Sequence, residues 1–62
     1  MGNDTRLMNA EEAAKFLGIK KSTVYAWVAQ RRLPYIKVGR LLKFRPRALE
    51  RWLKEREIRQ WP

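Results

Sequence analysis

Nine cations and no acid occupy the stretch from Lys20 to Arg47: Lys20, Lys21, Arg31, Arg32, Lys37, Arg40, Lys43, Arg45 and Arg47. The six remaining basic residues are balanced by all six acidic ones, so the entire net charge of +9 sits in the middle of the chain. An ordinary solvated surface intersperses both signs. Segregated positive charge is instead the electrostatic footprint of a polyanion binder. The other chemistries are closed. With no cysteine and no histidine among 62 residues, disulfide frameworks, zinc fingers and thiol or imidazole catalysis are excluded. The carboxylates are confined to the neutral ends, where no acid/base pair or metal-ligand set can be assembled. Neither an enzyme nor a metal or cofactor is expected.

The cations need a scaffold, and a chain of this length makes one domain near the lower limit for a self-sufficient core. The reading is a single domain over residues 1–62, mainly α with a small β-hairpin: helix 10–17, helix 21–31, hairpin 35–45 and helix 46–57. In "NAEEAAKFLG", Asn9 caps the first helix, Glu12 completes a capping box and Gly18 suits the left-handed position past its end. Ala10, Ala13, Ala14 and Leu17 share one stripe with Phe16 beside it, and three alanines there imply close approach to a neighbour. In "KKSTVYAWVAQRR", Val24, Trp27 and Val28 repeat the i, i+3, i+4 spacing, leaving Ser22, Tyr25, Ala26 and Ala29 on the opposite face. Arg31 and Arg32 complement the negative end of this helix. Two short helices joined by a tight glycine-containing turn make a helix-turn-helix, whose second helix usually enters the major groove of DNA.

Leu33-Pro34 breaks the helix, and "YIKVGRLLKF" follows as the hairpin. If Ile36 and Val38 face the core from one strand, Leu42 and Phe44 join them from the other only across an odd loop, Gly39-Arg40-Leu41. A two-residue turn at Gly39-Arg40 would instead place Lys43 on the face of Ile36. The odd loop is expected, with Lys37, Lys43 and Arg45 outward and Arg40 at the tip. The closing helix starts at Pro46 and buries Leu49, Trp52 and Leu53. Ile58 and Trp61 form either a core latch, the favoured reading, or an exposed apolar patch.

Residues 7–53, with the spaced elements "EEAAKFLGI", "STVYAWV", "LPYIKVGR" and "RPRALERWL", resemble the excisionase family of small DNA-binding domains, a branch of the MerR-like winged helix-turn-helix class. The resemblance implies a winged helix-turn-helix fold, a second helix that reads the major groove and a hairpin wing on the backbone or minor groove. It implies excisionases that bend DNA and direct an integrase, or short transcriptional regulators. Carried over by position, the DNA-facing residues are Lys21, Ser22, Thr23 and Tyr25 on the helix and Lys37, Arg40 and Lys43 on the wing, flanked by Lys20 and Arg45. Two departures stand out. Lys20 occupies a position where the family commonly has a capping serine, so that Ser22 is left as the alternative cap. Ala26 occupies one where relatives often carry arginine; it can touch a thymine methyl but cannot make a bidentate guanine contact.

Double-stranded DNA is therefore the expected partner, with an integrase, recombinase or RNA polymerase as a protein partner and several copies side by side on DNA. Two alternatives stay open, an RNA-binding module and an adaptor that recruits an integrase or polymerase through its C-terminal tail. The hairpin aromatics fit RNA poorly, because they alternate with the inward set where RNA readers display them on an open sheet or loop. No apolar run reaches the length of a membrane span, and "MGNDTRLMNA" lacks the layout of a signal peptide, so a cytoplasmic protein is expected.

Overall fold

Five elements follow one another in the computed structural model, which describes residues 6–58: α1 (Ala10–Leu17), α2 (Lys21–Ala29), strands β1 (Ile36–Val38) and β2 (Leu41–Lys43), and α3 (Pro46–Glu55). The fold is that of a winged helix-turn-helix, mainly helical, with a two-stranded antiparallel hairpin between α2 and α3. Asn9 starts α1 with a complete capping box: the Glu12 amide donates to Asn9 Oδ1 at 2.7 Å and the Asn9 amide donates to Glu12 Oε1 at 2.9 Å. Gly18, at φ 72°, closes α1 in the left-handed region that a side chain would resist. Ala10, Ala13 and Ala14 are buried, and their small side chains let α2 pack close with Val24 inward.

The second helix stops at Ala29, two residues short of the expected end at 31. The Arg32 amide donates to the Trp27 carbonyl and the Arg31 amide to the Val28 carbonyl, the paired bonds of a Schellman ending. That ending puts Arg31 at φ 59°, where a non-glycine residue costs about 1–2 kcal/mol. The chain then turns inward and buries Leu33 ahead of Pro34.

The hairpin register corrects the expected odd loop. Ile36 pairs with Lys43, Lys37 with Leu42 and Val38 with Leu41, so the loop is the two-residue turn Gly39-Arg40. Gly39 takes φ 62° at its first position, the placement of glycine that the twist of a tight hairpin favours. Parity then carries Ile36, Val38, Leu41 and Lys43 on one face and Lys37 on the other with Leu42. Val38, expected to face the core, is 48% exposed, and Leu41, expected in the loop, is a strand residue 59% exposed. The core is too small to reach the wing tip. Leu42 and Phe44 touch it, and Leu33 supplies the apolar bulk that β1 was expected to give. Phe44 is fully buried, and its backbone exchanges two hydrogen bonds of 2.8 Å with Met8, which adds the segment before α1 to the base of the wing.

On α3, Leu49 is fully buried and Trp52 packs against the core, whereas Leu53, expected in the stripe, is exposed. The helix ends at Glu55, short of the expected 57. Arg56 then folds back with its guanidinium 4.3 Å from the Trp52 ring centroid. Ile58 is 74% exposed and latches nothing, while Trp61 lies outside the described residues.

Phe44→Ala should cost about 3–5 kcal/mol, comparable with the whole reserve of a domain this small, and leave much of the protein unfolded. Val38→Ala and Leu41→Ala should each change stability by no more than about 0.5 kcal/mol. Circular dichroism melts of the three variants check the register, since an inward Val38 would make its truncation costly.

Candidate nucleic-acid interface

The outward face of α2 carries Ser22, Tyr25, Ala26 and Ala29, all exposed, with Thr23 half-buried on its flank. This is the surface that the inward set Val24, Trp27 and Val28 leaves free. At its start, Lys20 holds the N-cap position in extended backbone and no side chain caps the helix, so Ser22 does not serve as the alternative cap. No acidic residue lies in the first turn, and Lys20 and Lys21 stand there instead. Cations beside uncapped amides oppose the positive end of the helix dipole. An anion at this end would relieve both strains.

The wing closes two clefts against the helices. The first, of about 280 Å³, brings Lys21 and Tyr25 of α2 together with Arg40 and Lys43 of the wing, and Glu11 of α1 is its acidic member. The second, of about 380 Å³, lies past the other face of the wing and gathers Arg31, Tyr35, Lys37 and Arg40 with no acid. Lys37 and Lys43 thus point to opposite sides of the hairpin, a correction to the single outward face expected for them. Arg40, at the turn, lines both clefts. Lys20 and Arg45 are exposed at the N-cap positions of α2 and α3 and lie outside the two clefts. Among the described residues, Lys21, Arg31, Lys37, Arg40 and Lys43 make no side-chain hydrogen bond, ion pair or ring contact.

Arg32 is different. Its guanidinium sits 5.3 Å from the Trp27 ring centroid, its Nη1 donates to Gln30 Oε1 at 3.2 Å, and its carbonyl accepts from Trp52 Nε1 at 2.7 Å. The Trp27 and Trp52 rings meet at 5.8 Å, tilted by 41°. This seam binds α3 to α2 and employs Arg32 within the fold. Sequence reading gave Arg31 and Arg32 the same part, as complements to a helix end; what separates them is the left-handed backbone at Arg31, which turns its side chain to the second cleft.

A family model described as a helix-turn-helix domain matches residues 7–57, which include all five elements and both clefts. The chain belongs to the helix-turn-helix domain family. Among curated proteins and solved structures nothing matches it. Membership supports a helix-turn-helix protein that binds double-stranded DNA, the polyanion that the segregated charge calls for. No helix of this helix-turn-helix domain, among the described residues, is long and apolar enough to cross a membrane.

The two neighbouring uses of arginine should separate experimentally. Arg32→Ala should cost about 0.5–1 kcal/mol of stability through its lost ring contact and leave duplex affinity little changed. Arg40→Ala should weaken duplex binding without moving the melting temperature. Thermal melts and fluorescence-anisotropy titrations on both variants check this.

Proposed function

We propose that residues 1–62 act as one DNA-binding domain, an excisionase-like recombination directionality factor or small transcriptional regulator, with α2 in the major groove and the wing on the backbone and minor groove. One observation carries this reading: the exposed face of α2 is bordered at its start and along the wing by cations whose side chains make no hydrogen bond or ion pair among the described residues. Lys20 and Lys21 meet phosphate at the uncapped start of α2. Ser22, Thr23 and Tyr25 face base edges, Lys37, Arg40 and Lys43 hold the backbone from the wing, and Arg45 adds charge at its base.

The exposed face of α2 is poor in side chains that read bases in pairs. Ala26 and Ala29 offer only apolar contact, suited to thymine methyl groups. A helix of nine residues is about 13.5 Å long, roughly four base pairs. So short and weakly discriminating a reader suits a protein that loads several copies side by side, or that works beside an integrase, recombinase or RNA polymerase. The cytoplasm is the compartment where such DNA is met.

If four to six cations neutralise phosphates, log affinity should fall with log salt at a slope of about −4 to −5. Anisotropy titrations over a salt series measure it, and a slope near zero removes the reading. Selection from a random duplex pool should return a short motif in repeats; one long unrepeated motif would contradict side-by-side loading.

A further inference from the structure

We infer that Arg31, Lys37 and Arg40 form a second site for a DNA phosphodiester on the far side of the wing, so that the hairpin meets both backbones of one minor groove. Lys21 and Lys43 serve the near strand, Arg31 and Lys37 the far strand, and Arg40 lies between. This rests on the proposed placement of the wing in the minor groove and adds to it how the wing is held there.

Three observations lead to it. The two-residue turn puts Lys37 and Lys43 on opposite faces, so the wing is cationic on both sides. A hairpin charged on one face would meet one backbone; a minor groove presents two, one along each wall. Next, Arg31 occupies the left-handed position of the α2 ending, where glycine would stop the helix without steric strain. Its guanidinium is not recruited by the fold: among the described residues it makes no hydrogen bond, ion pair or ring contact, whereas Arg32 beside it makes two of the three. Strained backbone holding an unused charge at the rim of a cleft points to function outside the fold. Last, the far cleft carries three cations and no acid, while Glu11 tempers the near one. The far cleft is the more anion-attracting of the two.

Arg31→Gly is the discriminating variant, because its two effects should have opposite signs. Relief of the left-handed strain should raise the melting temperature, while duplex affinity falls and the salt slope becomes shallower by about one. Arg31→Lys keeps the charge and the strain, and should bind close to the parent. A merely structural Arg31 would give a stabilised glycine variant with unchanged affinity and slope, which overturns the proposal. Phosphate-ethylation interference on a duplex locates the strands. Interference should appear on both strands across one minor groove; Arg31→Gly with Lys37→Ala should erase it on one strand only, and Lys21→Ala with Lys43→Ala on the other. Interference on a single strand, with Arg40→Ala still weakening binding, would sink the second site and leave the wing in its groove. No minor-groove interference and no loss for Arg40→Ala would sink the placement of the wing itself.

Discussion

The wing presents its cations where it does because Phe44 is buried at its base. The ring is fully buried in the same core cluster as the alanines of α1, and the Phe44 backbone is locked to Met8 by a reciprocal pair of hydrogen bonds. Burial of an aromatic side chain is non-directional, but the bonds to Met8 are not. Together they fix both the depth and the orientation of β2. From that anchor the register follows, and with it the separation of Lys37 from Lys43 and the placing of Arg40 between two clefts. The hairpin is too short to hold a position alone. Its precision is borrowed from the core.

The same economy of core explains how so uneven a charge distribution is tolerated. Five cations around α2 and the wing find no partner in the described residues, and the start of α2 adds Lys20 where the dipole disfavours it. Such self-repulsion lowers the stability of the free protein. Against it stand the capping box of α1 and the seam where Trp27, Trp52, Arg32 and Arg56 stack and tie α3 to the rest. Arginine is thus used twice in one small domain, to brace aromatic rings in the seam and to stay unpaired at the clefts. A polyanion that binds the folded state alone would add stability by mass action, so this helix-turn-helix protein should be firmest on its DNA.

Much of this was legible in the sequence where the determinants are local. Asn9 with Glu12, Gly18, the alanine stripe, Val24 and Pro46 each declare themselves within a few residues, and the free face of α2 follows from its buried one. The wing register was not legible, because parity depends on which residues reach the core, and that depends on tertiary volume. Leu33 is buried while Val38 is exposed, and the pairing of Met8 with Phe44 joins positions far apart in the chain. Leu53 and Ile58 looked core-bound by spacing and hydrophobicity, yet the core was already filled by Leu49 and Trp52. Arg31 carried no mark in the sequence, since a left-handed helix ending is usually announced by glycine. The cations that join it in the far cleft, Lys37 and Arg40, come from β1 and the turn, which only the folded hairpin brings near.

In the proposed complex, α2 and both faces of the wing form one surface for duplex DNA. Backbone amide shifts of labelled protein titrated with a short duplex test it most directly. Perturbations should cluster on residues 20–26, on Arg31 and along both strands from 36 to 43, while the amides of α3 from Leu49 onward stay still. Perturbations centred on α3, or on one face of the wing without α2, would rule this surface out.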